Sequence, residues 1–231
     1  MNLPRPPCAA LALAAFLLAA PAALPASPPD VDALLRSVQS FYRGTRGIEA
    51  RFSQIMSSRT LGAPQEESGL LYLKPPGKMR WEYTRPKGKL AVADGTRLYL
   101  YLPEDRQVMV GTIKDLDTGA MVTRLLWGES VIGEDFRVDG PPSAEADGSF
   151  ALHLKPKQPD FPYESLVVHI ATDGSVPRIE MVDPLGNRME YRFAEIRTGR
   201  SLPDKLFTYQ IPRGVEIQML TPQRSTSAPS P

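Results

Sequence analysis

Short segments in which apolar and polar residues alternate follow one another through most of the chain, and this period of two constrains the fold more than any other feature. In residues 78–83, the side chains of Met79, Trp81 and Tyr83 must share one face of a strand, and charged side chains the other. The remaining candidate strands start near Ile48 and then cover residues 69–74, 90–93, 98–102, 107–110, 135–138, 150–155, 165–171, 178–182, 189–196 and 207–211. About eleven short antiparallel strands with two or three helices predict a mainly β (α+β) domain with a strongly curved sheet or an open barrel.

Two segments have a helical period instead. Asp30 can cap a helix that ends near Gly44, and a second helix is predicted within residues 117–127, where it interrupts the strands. The predicted apolar faces consist of Val31, Leu34, Leu35, Val38 and Phe41 in the first helix and of Met121, Val122, Leu125 and Leu126 in the second. Both helices are therefore amphipathic and need an apolar surface to cover.

The N-terminal segment has the pattern of an export signal. Residues 8–20 are thirteen residues without a polar group, too few to span a bilayer. Small residues follow, and an A-x-A site predicts cleavage before Ala23, with cleavage after Ala26 as a second option. We therefore expect a signal peptide over residues 1–26 with cleavage near 22–26, a single domain over 27–218, a disordered tail over 219–231, and a periplasmic location.

The single cysteine of the chain, Cys8, lies inside the predicted signal peptide. A lipoprotein acylation site requires the cysteine just after the apolar stretch with a leucine about three residues before it, whereas an Arg-Pro-Pro sequence precedes Cys8. The mature protein is thus expected to have no cysteine, no disulfide and no lipid anchor of its own.

The charge balance is close to neutral, with 27 Lys and Arg against 26 Asp and Glu. A nucleic-acid-binding protein normally has a basic excess, so we expect no nucleic-acid partner. Hydrophobic residues make up 42% of the chain, which is enough to bury one substantial core, and we expect a monomer.

No set of residues predicts an enzyme. The chain has no G-x-S-x-G elbow, no Gly-rich phosphate loop and no H-E-x-x-H motif. His153 and His169 lie in alternating strand patterns without metal-ligand spacing, and we interpret them as surface or satisfied core histidines. Glu104 and Asp105 are interpreted as a solvated turn. We expect no catalytic residue, no metal site and no cofactor, and an exported hydrolase is the disfavoured alternative.

The kind of apolar residue is informative. The chain contains eight methionines, and Met79 shares its strand face with Trp81 and Tyr83. Methionine is flexible and suits surfaces that accept ligands of varied shape, although core packing is the simpler interpretation. The pattern leaves both open: a packed core, or a hydrocarbon cavity between a curved sheet and its amphipathic helices.

A series of short strings gives the chain a family resemblance. They are Ala50-Arg-Phe-Ser-Gln54, Gly69-x-x-x-Leu73, Pro76-Gly-Lys-Met-Arg-Trp81-Glu-Tyr83, Ala93-Asp94-Gly95, Leu98-Tyr-Leu-Tyr101, Leu154-Lys-Pro-Lys157, Asp183-x-x-Gly186 and Phe207-Thr-Tyr-Gln-Ile-Pro212. In this order and spacing, they resemble the family of periplasmic outer-membrane lipoprotein carrier proteins (LolA), over about residues 31–217.

The resemblance implies an incomplete antiparallel β-barrel of about eleven strands, with a helical lid over a hydrophobic cavity that holds lipoprotein acyl chains. It implies cavity positions at Leu71, Leu73, Met79, Trp81, Tyr83 and Leu126, and lid positions at Leu34, Val38, Phe41, Met121 and Leu125. It also implies a periplasmic carrier that takes acylated lipoproteins from an inner-membrane lipoprotein-releasing ABC transporter to a LolB-like outer-membrane acceptor. A lipid-binding or lipid-sensing periplasmic protein of the same superfamily is the alternative.

The chain departs from the family pattern at Pro75. Familiar members have an arginine at this position, before the proline of a turn between two strands, and that arginine bonds to the lid. Lys74 is adjacent, but strand alternation predicts that its side chain points to the opposite face. The lid-latching mechanism of those members therefore does not carry over to this chain.

Overall fold

The computed structural model of the protein describes residues 30–58, 62–115, 117–127, 131–159 and 161–220, so the predicted signal peptide and residues 221–231 of the predicted tail lie outside the described residues. The helices are α1 (Val31–Tyr42), α2 (Asp117–Leu126) and α3 (Val131–Glu134), and 3₁₀ turns cover Ile113–Asp115 and Asp204–Phe207. The strands are β1 (Ile48–Ser57), β2 (Gln65–Lys74), β3 (Lys78–Arg85), β4 (Leu90–Asp94), β5 (Leu98–Leu102), β6 (Gln107–Gly111), β7 (Phe136–Val138), β8 (Ser143–Ala144), β9 (Phe150–Pro156), β10 (Ser165–Ile170), β11 (Arg178–Val182), β12 (Arg188–Arg197) and β13 (Glu216–Met219).

One sheet contains all thirteen of these strands, in the order β13-β6-β5-β4-β3-β2-β1-β12-β11-β10-β9-β7, with β8 paired to β9. Neighbouring strands are antiparallel, apart from β13, which runs parallel to β6. Within the described residues, the edge strands β13 and β7 do not pair with each other, so the sheet is not closed. The predicted mainly β fold, an incomplete antiparallel barrel, is confirmed.

The pairing of β1 with β12 joins the two halves of the sheet. Phe52 lies opposite Phe193 and Gln54 opposite Tyr191, although these partners are far apart in the sequence. Most other neighbouring strands follow each other in the sequence and form hairpins joined by short connections. At the β4–β5 turn, for example, Gly95 has a φ of 103°, which a side chain with a Cβ rarely adopts.

The alternation along the central strands places one apolar face inward. Leu71 and Leu73 on β2 and Met79 on β3 are completely buried, and residues between them are partly exposed. Helices α1 and α2 cover this inner face, and their buried residues belong to the same hydrophobic cluster as the strand residues. The core of the protein therefore lies between the concave face of the sheet and the two predicted amphipathic helices.

Helix α1 is held against the β10–β11 turn. Gly174 in that turn has a φ of 87°, and a Cβ at this position would collide with the carbonyl oxygen of Ser37 in the helix. Asp30 lies at the N-cap position, as predicted, but its side chain makes no capping hydrogen bond, and its carbonyl oxygen accepts a hydrogen bond from the N–H of Leu34 at 3.1 Å. Tertiary packing, rather than a side-chain cap, therefore sets the position of this helix.

The strand predicted at residues 207–211 is wrong. Phe207 ends a 3₁₀ turn, and residues 208–212 continue without strand pairing. The alternating apolar residues of this segment pack on the outer face of the sheet instead: Phe207 is buried, and the Tyr209 ring lies 5.5 Å from the Tyr99 ring. Two strands were not predicted from the sequence: β8 (Ser143–Ala144) and β13 (Glu216–Met219).

We call residues 202–220 the outer strap, because they cross the convex side of β3 to β6. The Asp204 carboxylate accepts hydrogen bonds from the ammonium groups of Lys74 and Lys78 at 2.7 and 2.9 Å. These contacts hold the pKa of Asp204 down to about 2. The strap then ends in β13, where the N–H of Leu220 donates to the carbonyl oxygen of Val110.

Candidate functional site: the apolar face beneath the helices

The floor of the candidate site is a block of paired residues on β2 and β3. Leu71 lies opposite Trp81 and Leu73 opposite Met79, and all four are buried on the inner face of the sheet. Cross-strand partners on one face have their Cβ atoms only about 5 Å apart, so these side chains form one continuous apolar surface. The structure thus brings together four of the predicted cavity residues.

Helix α2 covers this floor. Met121, Leu125 and Leu126 are all buried in the same cluster as the floor residues. The hydroxyl of Thr123, which the sequence did not single out, lies 3.5 Å from the sulfur of Met79 and is completely buried. A contact between a hydroxyl and a thioether sulfur is weak, so α2 is held on the floor mainly by apolar packing.

Helix α1 supplies a second apolar cover. Leu34 and Val38 are buried as predicted, while Phe41 is only half-buried and packs edge-on against Tyr42 at 4.9 Å. Tyr42 is the third buried residue of the helix, and its hydroxyl accepts a hydrogen bond from the N–H of Val176 at 3.1 Å. Burial raises the pKa of Tyr42, which keeps the phenol neutral at physiological pH.

An aromatic cluster lies at one end of the floor. Its edge-to-face contacts join Phe52 to Trp81 at 4.8 Å and Phe52 to Tyr83 at 5.0 Å. Trp81 also packs against Tyr191 at 5.8 Å and Phe193 at 6.3 Å. Three of these residues, Phe52, Tyr191 and Phe193, were not predicted as site residues. Phe52 reaches the cluster through the pairing of β1 with β2 and of β2 with β3, whereas Tyr191 and Phe193 reach it only through the long-range pairing of β1 with β12.

The described residues line a cavity of about 140 Å³ beside this cluster, formed by Gln54, Met79, Trp81, Tyr83, Lys89, Ala91, Leu100 and Tyr191. Sites for drug-sized ligands usually have volumes of about 300–1,000 Å³. The cavity is therefore too small for a long hydrocarbon chain in this conformation. Leu71 and Leu73 have no exposed surface and do not line this cavity, so a ligand reaches them only if a helix moves.

An ion pair lies at the rim of the cavity. The ammonium of Lys89 lies 2.7 Å from each carboxylate oxygen of Glu67 and 4.4 Å from the centre of the Tyr83 ring. Only 18% of the Lys89 side chain and 20% of the Glu67 side chain are exposed. Burial raises the pKa of Tyr83, and the Glu67 carboxylate raises it further, so this phenol stays neutral beside the ion pair.

The region around Pro75 is arranged as the strand alternation predicts. Lys74 points away from the buried Leu73, and its ammonium donates to Asp204 at 2.7 Å and to the carbonyl oxygen of Leu202 at 2.9 Å. This lysine therefore holds the outer strap, on the side of the sheet opposite to α2.

Both histidines are accounted for. His153 is exposed, whereas His169 is buried and lies within hydrogen-bonding distance of Glu180 at 2.9 Å and Arg178 at 3.0 Å. Burial and the charge of Arg178 lower the pKa of His169. Within the described ranges, no group of three or more His, Cys, Asp and Glu side chains could hold a metal ion. None of the helices in those ranges is long and apolar enough to cross a membrane.

An open antiparallel barrel with helices over an apolar, aromatic-lined inner face defines the class of proteins that bind apolar ligands beneath a lid. The model of the family "Outer membrane lipoprotein carrier protein LolA" matches residues 43–210. The chain therefore belongs to the LolA family, and the predicted resemblance is confirmed.

Individual relatives agree with this assignment. An outer-membrane lipoprotein carrier protein of Azotobacter vinelandii is 30% identical over 204 residues, covering 87% of this chain and 96% of the relative. One of Dechloromonas aromatica is 29% identical over 180 residues, covering 78% and 85%. Among solved structures, an uncharacterized conserved protein from Thermus thermophilus superposes with a TM-score of 0.52 at 15% identity, covering 81% of this chain and 98% of that one. This last similarity supports the fold alone.

Proposed function

We propose that this protein binds the acyl chains of lipoproteins between the inner face of its sheet and helices α1 and α2, and carries these lipoproteins from the inner to the outer membrane. The observation that carries the proposal is the buried block of Leu71, Leu73, Met79 and Trp81, which lies under an amphipathic helix. Membership of the LolA family supports it.

The energetics of lipid transfer require such a surface. Removing a chain of about sixteen carbons from a membrane costs about 12 kcal/mol at about 0.8 kcal/mol per methylene. A carrier lowers this cost by offering nearly equal apolar burial. Leucine, methionine and tryptophan side chains provide it without directional bonds, which suits cargo proteins that share only their lipid.

Loading requires that a helix moves away from the sheet so that the acyl chains can enter. The floor residues already bury their surfaces against α2 in this conformation. An entering acyl chain replaces the contacts between α2 and the floor with equivalent apolar contacts. The net free-energy change of displacing the helix and binding the chain is therefore small. A balanced exchange allows both capture and release without an energy source in the carrier itself.

The expected location and partners follow from the same function. The protein is exported by its signal peptide over residues 1–26, with cleavage near 22–26, and acts in the periplasm without a lipid anchor of its own. It receives acylated cargo from an inner-membrane lipoprotein-releasing ABC transporter and delivers it to an outer-membrane acceptor. Neither step requires a cofactor or an enzymatic activity of this chain.

A matched pair of variants tests the proposal. Ala91 lines the cavity between Trp81 and Leu100, its partners in the strand register, whereas Ala194 is exposed on β12. Replacing Ala91 with leucine fills cavity space at a stability cost of about 1–3 kcal/mol. We expect Ala91→Leu to reduce the retention of a purified acylated lipoprotein in size-exclusion chromatography, and Ala194→Leu to retain it fully.

The control cargo is the same lipoprotein without its acyl chains, which the unaltered protein should not retain. Retention of the unacylated form, or equal retention by the two leucine variants, would contradict the proposed site.

A further inference from the structure

The ion pair of Lys89 and Glu67 is placed where apolar packing alone would be expected. Glu67 lies opposite Gln54 in the register of β1 and β2, so both side chains are on the inner face. Lys89 precedes β4 and lines the same cavity. Gln54 and Lys89 line this cavity together with Met79 and Trp81, and Glu67 is paired with Lys89 behind them. We call Gln54, Glu67 and Lys89 the polar rim.

Stability alone does not explain this placement. Removing two charges from water is costly, and an apolar pair of similar volume would often be at least as stable. Among the ion pairs of the described residues, this one is one of the most buried: the side chains of Lys89 and Glu67 are 18% and 20% exposed, against 35% and 30% for Arg124 and Asp135 and 45% and 46% for Lys155 and Asp139. Apolar ligand sites, in contrast, characteristically contain a few polar groups that fix the orientation of the ligand.

The polar rim is rich in hydrogen-bond donors. An ammonium has three N–H donors, and the Glu67 carboxylate can accept two of those of Lys89 through its two oxygens. Within the part of the chain that the structure describes, the Lys89 ammonium makes no further hydrogen bond, although its charge faces the Tyr83 ring. Gln54 brings a side-chain amide to the same cavity, with two N–H donors of its own.

A lipid presents the complementary group at one defined point. Every esterified or amidated acyl chain begins at a carbonyl oxygen, which accepts hydrogen bonds, and continues as pure hydrocarbon. The polar rim lies at the Tyr83 end of β3, and the floor extends from it through Trp81 to Met79 and Leu73. A chain anchored at the rim by its carbonyl would lay its hydrocarbon along this floor.

We propose that Lys89, oriented by Glu67, donates a hydrogen bond to the ester or amide carbonyl at the head of the bound acyl chain and so sets the direction in which the chain enters. This inference rests on the proposed function. Lys89 distinguishes acyl groups from plain hydrocarbon, while the apolar floor supplies most of the affinity.

The test compares two ligands, 1-monopalmitoylglycerol, which has an ester carbonyl, and hexadecane, which has none. Each displaces a pyrene-labelled hydrocarbon from the chain that starts at residue 27. The variants are Lys89→Met, which keeps the aliphatic stem, and Lys89→Met with Glu67→Met, which leaves no unpaired charge. Lys87→Met is the matched control, because Lys87 is exposed in the same connection between β3 and β4.

We expect both Lys89 variants to lose about tenfold in affinity for the ester, because the hydrogen bond from the charged ammonium to the ester carbonyl is lost. Both variants should bind hexadecane as the unaltered protein does. Lys87→Met should bind both ligands normally. Equal losses for both ligands would mean that the ion pair is purely structural, and unchanged ester binding would also overturn the inference. If the unaltered protein bound neither ligand, the proposed acyl-binding function itself would fail.

Discussion

Truncation of Leu126 should open the lid without unfolding the protein. Leu126 is 2% exposed on the side of α2 that covers the floor of the site. Replacing a buried leucine with alanine costs about 2–5 kcal/mol, because apolar burial is lost and a cavity remains. If α2 can leave the sheet on its own, the Leu126→Ala change lowers the free energy of that opening by the same amount.

A single buried thiol can report this opening. The only cysteine of the chain is Cys8, so a protein that starts at residue 27 has no thiol, and Met79→Cys introduces one on a fully buried position beneath Thr123. A loss of about 2 kcal/mol raises the population of the open state about 30-fold. We expect the thiol to react with a maleimide at least about 30-fold faster when Leu126→Ala is added.

The control is Leu152→Ala, at a completely buried position on β9. Urea unfolding should show a comparable loss of global stability for both alanine variants, whereas only Leu126→Ala should accelerate thiol labelling in native conditions. Equal acceleration by the two variants would show that Met79 becomes accessible only by global unfolding, and that α2 is no lid.

Three further changes test the supports of the site. Asp204→Asn should lower the free energy of unfolding at neutral pH. This loss relative to the unaltered protein should vanish as the pH falls from about 4 to about 2, because the pKa of Asp204 is held at about 2 in the folded protein. A constant difference in urea unfolding across this range would refute the role of Lys74 and its carboxylate partner. Gly174→Ala should cost about 2 kcal/mol or more in thermal unfolding, because a Cβ collides with Ser37 at a positive φ, and unchanged stability would show that α1 is not anchored there. Tyr42→Phe should cost about 1–3 kcal/mol by leaving a buried N–H without its acceptor, and a neutral effect in the same assay would contradict that hydrogen bond.

Local periodicity was sufficient to predict the elements that build the floor and the lid. The alternation in residues 78–83 placed Met79 and Trp81 on one face, and the family resemblance added Leu71 and Leu73 on the neighbouring strand. The structure places these four side chains on one buried face because β2 and β3 are joined by a short turn, so that their register follows from the local sequence.

Residues that depend on long-range pairing could not be found in this way. Tyr191 and Phe193 meet Trp81 only because β12 pairs with β1, and no local signal specifies that register. The same reason explains the failure at residues 207–211, where apolar alternation reflects packing of the outer strap on the convex face rather than strand pairing. Nothing in the sequence distinguishes Lys89 from an exposed lysine, and its ion pair with Glu67 is seen only in the structure.

Whether this protein carries acylated proteins is decided by mass spectrometry of the protein purified from the periplasm under non-denaturing conditions. We expect acylated lipoproteins of several different sequences to copurify with the protein, and the Ala91→Leu variant to carry much less of them. Purification of the folded protein with free lipid alone, or with no acylated species, would contradict the proposed carrier function.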